Sequence, residues 1–102
     1  MSAPARTAQQ RAEALERALA ARQERARIRA SLKSGELSGR DVLASCEQNS
    51  AWGSLPIRAF LTALPGVGTA RAEAIMRDID IADSRRLRGL GERQRLELMQ
   101  VI

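Results

Sequence analysis

The chain has 102 residues and carries 17 Lys plus Arg against 12 Asp plus Glu, a net charge of +5; sixteen of the cations are arginine and Lys33 is the only lysine. That length supports one domain at most. A single cysteine (Cys46) and no histidine exclude an internal disulfide, a Cys/His zinc site and a Ser-His-Asp triad, while one Phe and one Trp are too few for a base-stacking single-strand binder.

Residues 1–7 hold Pro4 and small side chains and are expected to be disordered. From Ala8 to Ser34 the sequence is rich in Ala, Arg, Glu, Gln and Leu, the strongest helix formers, with no Pro or Gly. Its apolar positions, among them Leu15, Leu19, Ile28 and Leu32, recur at helical spacing, but the stripe drifts and is mostly Ala. A helix of this length spans roughly 40 Å, so its N-terminal half is expected to project from the body, with Gly35 as its cap. Residues 1–33 hold a net +5, residues 34–54 a net −2 and residues 55–102 a net +2. Arg22, Arg25 and Arg29 share one face of the first helix, and both a solvated face and an auxiliary nucleic-acid contact fit them.

Ser38 three residues before Asp41 gives a capping-box-like start to a short second helix, Gly39 to about Glu47, that would bury Val42, Leu43 and Cys46. Residues 48–54 read as a polar loop around Trp52 and Gly53, with Trp52 and Phe60 as core anchors. Pro56 opens a third helix with Ile57, Phe60, Leu61 and Leu64 inward, and Pro65 stops it. A fourth helix follows from Thr69 to about Asp80, burying Ala72, Ile75, Met76 and Ile79. A loop from Ile81 to Gly91 leads to a fifth, Glu92 to Val101, with Leu96, Met99 and Leu98 as inward candidates. No segment alternates with period two, so no strand is expected.

The stretch Leu64-Pro65-Gly66-Val67-Gly68-Thr69-Ala70-Arg71-Ala72 carries the chemistry. Gly66 and Gly68 permit positive φ and close backbone approach, and Val67 would plug the turn into the core. The amides of Gly68, Thr69 and Ala70 lie at a helix N-terminus, where orphan donors and the helix dipole attract an anion. Arg71 adds charge at the rim. Leu64 to Gly68 also matches Leu87-Arg88-Gly89-Leu90-Gly91 at an offset of 23 residues, with Met76 and Met99 following in register. Arg85, Arg86 and Arg88 form a second basic cluster with no acid between them, suited to phosphate or a minor groove. Asp78, Asp80 and Asp83 fit capping or charge-balancing roles better than a metal site, which needs convergent carboxylates.

The hairpin resembles the helix-hairpin-helix phosphate-binding motif. The layout after it, Ile79-Asp80-Ile81-Ala82-Asp83 and then Arg85, Leu87, Leu90, Gln94 and Leu98, looks like the helix-two-turn-helix domain of a small-subunit ribosomal protein. More closely, residues 55–102 resemble the actinobacterial integration host factor family. The most specific match is Arg85-Arg86-Leu87-Arg88-Gly89-Leu90-Gly91 with Glu92-Arg93-Gln94-Arg95 after it. One departure is Thr69, where the family commonly has Lys. The resemblance implies an all-α fold: a tail and long basic helix over residues 1–34, then a compact four-helix helix-two-turn-helix domain over 35–102.

It further implies a nucleoid-associated protein, not an enzyme, that binds duplex DNA with little sequence preference and bends or compacts it. Two elements would touch DNA: Leu64, Pro65, Gly66, Val67, Gly68, Thr69, Ala70 and Arg71, and a lid-like segment with Ser84, Arg85, Arg86, Arg88, Gly89, Gly91 and Arg93. No resident cofactor or catalytic residue is implied; a monovalent cation at the DNA-bound hairpin is the one ligand left open. The expected partner is double-stranded DNA, with no membrane and no small-molecule substrate, for a monomer in the cytoplasm and nucleoid. The alternatives are an RNA-binding module like the ribosomal protein, and a helix-hairpin-helix repair enzyme, which would need a catalytic Lys or Asp after the hairpin; the only lysine, Lys33, lies before it.

Overall fold

The computed structural model describes residues 7–102, and the regular elements within them are helices. Six α-helices follow in order: α1 (Ala8–Ser34), α2 (Gly39–Ser45), α3 (Ser50–Gly53), α4 (Ile57–Ala63), α5 (Thr69–Ile79) and α6 (Glu92–Val101). A 3₁₀ turn at Leu87–Gly89 lies between the last two. The only β-type pairing among the described residues is an isolated bridge between Pro56 and Arg86. Apart from Thr7, the segment expected to be disordered lies outside the described residues. Thr7 itself caps α1, its side chain and that of Gln10 forming a reciprocal capping box.

α1 is the longest element, and the molecule measures 52 × 31 × 26 Å. Only Ile28 and Leu32 of α1 are buried, whereas Leu15 and Leu19 are exposed at 57% and 46%. The Ala-rich stripe therefore does what its small side chains allow: the last two turns dock and the earlier ones reach into solvent. Gly35, at φ 86°, closes the helix in the left-handed conformation that glycine adopts most readily.

The core is built around α4. Ile57, Phe60 and Leu61 are fully buried, packed with Leu32, Val42, Leu43, Leu55, Leu87 and Leu98 from the surrounding elements. The segment read as a loop holds a further helix, α3, so five short helices rather than four follow α1. Asn49 starts it by accepting a hydrogen bond from the Trp52 amide (3.1 Å), and α3 packs half-buried Trp52 against the core. Leu96 is not inward: it is 59% exposed, while Leu98 is fully buried. Residues two apart lie about 200° apart around a helix, so α6 can turn only one of the two inward. Among the described residues no helix is long and apolar enough to cross a membrane.

Candidate nucleic-acid interface

The hairpin between α4 and α5 is built by its own sequence. Pro65 disfavours helical geometry at the residue before it, and Leu64 turns to ψ 141°, ending α4. Gly66 takes φ 78°, the left-handed position of a type II turn closed by the Val67 amide on the Leu64 carbonyl (3.1 Å). Val67 is half-buried against the core and holds the turn down. Gly68 then caps α5 with φ −89° and ψ −179°. This corrects one expectation: Gly68 has no positive φ, so its backbone is open to other residues. What a side chain there would change is access, because nothing lies within 4 Å of the position a Cβ would take.

No side chain caps α5, and its first internal bond runs from the Ala72 amide to the Gly68 carbonyl (3.0 Å). The amides of Thr69, Ala70 and Arg71 therefore precede the first hydrogen-bonded amide, that of Ala72, and point out of the helix end. Pro65, Gly66, Gly68, Thr69, Ala70 and Arg71 are all exposed. Leu64 is buried and Val67 half-buried, so these two shape the hairpin from beneath while the others form its outer surface. Arg71 also borders an open groove of about 520 Å³ between the hairpin, the start of α2 and the end of α6.

The second predicted element is more ordered than a solvated loop. Asp80, at φ 62°, ends α5, and the Ile81 amide donates to the Met76 carbonyl (2.8 Å). The segment is hung from the start of α4 by two backbone bonds, Ile57 amide to Arg85 carbonyl and Leu87 amide to Leu55 carbonyl, both 3.0 Å. Arg85 and Arg86, though exposed, are tethered: Arg85 donates to the Gly89 carbonyl (2.8 Å) and Arg86 to the Ser54 carbonyl. Gly89 makes room for the Arg85 stem, whose Cδ would lie 3.0 Å from an added Cβ. Arg88, on the 3₁₀ turn, and Ser84 are exposed. Arg93 pairs with Glu97 along α6 (2.8 Å).

The internal repeat is structural. The Leu90 amide closes on Leu87 (3.2 Å) as Val67 closes on Leu64, and the Arg95 amide opens α6 on the Gly91 carbonyl (3.0 Å) as Ala72 opens α5 on Gly68. One difference separates the two turns. The Gly91 amide is occupied by the side chain of Gln94 (3.0 Å), whereas the matching position in the first turn is Arg71. The two helix ends thus differ at the amide of the capping glycine, while neither has a side chain on its first three helical amides.

Asp80 ends α5 and Asp83 pairs with Arg58; among the described residues no cluster of three or more potential ligands could hold a metal ion. Cys46 is buried, its thiol facing the Leu87 carbonyl at 3.9 Å, and burial pushes its pKa up despite the nearby Arg95. Arg58 was absent from the residues singled out by sequence. Its partners, Glu73 and Asp83, lie 15 and 25 residues away, beyond the reach of any local pattern.

Residues 32–101 match the family model of the S13-like H2TH domain. The chain is 45% identical over 100 residues to "Integration host factor" of Mycolicibacterium smegmatis, covering 98% of this chain and 95% of the relative. It is equally similar, over the same shares, to the integration host factor of Mycobacterium tuberculosis. A solved structure described as "Structure of sIHF bound to an 8bp palindromic DNA" superposes with a TM-score of 0.79 at 41% identity, over 84% of this chain and 97% of that one.

Proposed function

Since the chain belongs to the integration host factor family with an S13-like H2TH domain, we propose that it is a nucleoid-associated protein that binds duplex DNA and bends or compacts it. The observation that carries the reading is the open N-terminus of α5. Three outward amides, the positive end of the helix dipole and the exposed Arg71 stand together, whereas at the sister terminus of α6 the residue in the place of Arg71 is the uncharged Gln94, folded back onto the Gly91 amide. A phosphate fits the first, where an arginine stands beside the free amides. The arginine segment supplies a second backbone contact, with Arg88 the side chain best placed to leave the protein surface. Sequence preference is weak, because the interface offers backbone amides and arginines rather than the Asn and Gln forks that read base edges.

In this reading residues 35–102 form the DNA-binding domain. The segment 1–34 is an arm whose last turns pack on that domain. The protein is a monomer of the cytoplasm and nucleoid, acts by binding rather than catalysis, and takes no small-molecule substrate.

A gel shift with duplex DNA, competed by structured RNA across a salt series, tests the proposal. Duplex binding should survive the RNA competitor. The logarithm of the binding constant should fall with that of salt by roughly 0.9 per phosphate contacted. A flat salt dependence or preferential loss to RNA would overturn it.

A further inference from the structure

Arg58 joins the two candidate DNA-contacting elements without belonging to either. It sits on the second residue of α4 and divides its guanidinium between two carboxylates. Nη1 meets Glu73 of α5 at 3.0 Å, and Nη2 meets Asp83 of the arginine segment at 2.8 Å. Glu73 lies one turn beyond Thr69, on the helix whose N-terminus forms the hairpin site. Asp83 lies two residues before Arg85. The backbone bonds from residues 55 and 57 fix the far part of the segment, at Arg85 and Leu87. Arg58 supplies a side-chain tie to its near part, beside the bond from Gln94 to the Asp80 carbonyl (2.9 Å), and reaches α5 at the same time. Arg58 and Thr69 also line one groove of about 470 Å³, so this ion network borders the hairpin itself.

Two carboxylates beside a surface meant for phosphates oppose binding by simple electrostatics. Their presence needs another reason, and the forked guanidinium gives one. Its planar shape lets two edges be engaged at once, which a lysine ammonium cannot reproduce with fixed geometry. We propose that Arg58 is a positioning residue for DNA bending: through Glu73 and Asp83 it holds the hairpin helix and the arginine segment at one separation, so that both phosphate contacts form only on bent DNA. This rests on the reading of those two elements as DNA contacts.

The sign of the charge effects makes the proposal testable in the full chain. Glu73→Gln and Asp83→Asn each remove a negative charge near DNA, so affinity for a straight duplex should hold or rise several-fold. End-to-end shortening of single DNA molecules, measured at equal saturating occupancy, should nevertheless fall by half or more. Arg58→Gln should lose shortening to the same degree, and Arg58→Lys should recover part of it. In the free protein, amide exchange across residues 81–84 should quicken in Arg58→Gln and in Asp83→Asn. Asp83 has a side chain 85% exposed, so its variant reads the tie without threatening the core.

Two results would overturn the proposal. One is parental shortening and parental exchange in Arg58→Gln and Asp83→Asn. The other is a salt slope smaller by roughly 0.9 in Arg58→Gln, which would make Arg58 a phosphate contact in its own right. Either leaves the hairpin site standing, because that site is tested separately by substitution at Gly68.

Discussion

Gly68 and Gly91 stand 23 residues apart and open their helices with the same extended backbone, at φ −89° and −71°. Only at Gly91 does a side chain, that of Gln94, take the freed amide. The same turn-and-helix unit thus occurs twice, once with an arginine and once with a backbone-bound glutamine at its third helical position. The Gln94 contact holds the entry to α6 but leaves the first helical amides uncapped, so the difference between the two ends lies in the glycine amide and in the charge of the side chain beside it.

Gly68→Ala should separate access from stability. The φ is ordinary and the space is empty, so the free protein should change by less than about 0.5 kcal/mol. DNA affinity should drop about tenfold, because a methyl group stands where the phosphate approaches the amides. Gly66→Ala should behave in the opposite way. Its φ of 78° makes any side chain strained, and about 1–2 kcal/mol of stability should go. Urea melts and titrations of both variants check this; undiminished affinity in folded Gly68→Ala would remove the hairpin as the docking point.

Arg71→Gln copies the sister turn. The introduced amide side chain would stand in register with Gln94 and could fold back onto the Gly68 amide, a capping contact worth about 0.5 kcal/mol or more. The variant should therefore melt higher than Arg71→Ala yet bind DNA less well than it, because the donor is now occupied as well as the charge lost. Equal affinities for the two variants would mean that the open amide contributes nothing.

The arginine cluster is not uniform. Arg86 is tied to the Ser54 carbonyl and Arg85 to the Gly89 carbonyl, whereas among the described contacts Arg88 has no such tether. Arg86→Ala should cost about 1 kcal/mol of stability, as expected for a hydrogen bond from a charged donor at an exposed site. Arg88→Ala should leave the melting temperature unchanged and lower the salt slope by roughly 0.9. A triple alanine variant mixes these effects, so the single variants, measured by calorimetry and by salt titration, are the informative ones.

The sequence made the long elements legible because they follow single local rules. The Pro- and Gly-free run from Ala8, the stop at Pro65 and the apolar spacing of Ala72, Ile75, Met76 and Ile79 each need no tertiary knowledge. The hairpin was legible for the same reason, since Pro65 and Gly66 specify their turn. The short α3 escaped because four residues carry too little periodicity, although Asn49 before Trp52 is a capping signal. Leu96 escaped because two leucines in one short helix leave the inward face undecided until α5 and α2 are placed. Arg58 escaped because its two partners come from distant elements, and the tethers of Arg85 and Arg86 because backbone carbonyls leave no mark in sequence.

Cys46 gives a probe of the whole fold. The thiol lies 1% exposed beneath Leu87, and burial holds its pKa above the ordinary value, with Glu47 adding to the rise and Arg95 opposing it. The folded state therefore keeps its proton to higher pH than the unfolded chain does. Below the ordinary thiol value near 8.5 both states are protonated and the contribution to stability is fully present. As pH rises past that value the unfolded thiol ionises first, and stability falls until the folded thiol follows. Urea midpoints of the parent should decline from pH 8 to pH 10 more steeply than those of Cys46→Ala, which has no thiol to titrate. Thiol labelling in native buffer should be limited by the opening of the core that α2 shares with the arginine segment, and should become fast in urea. Equal labelling rates in buffer and urea, or parallel pH profiles for the two proteins, would show that Cys46 is not sealed beneath that segment.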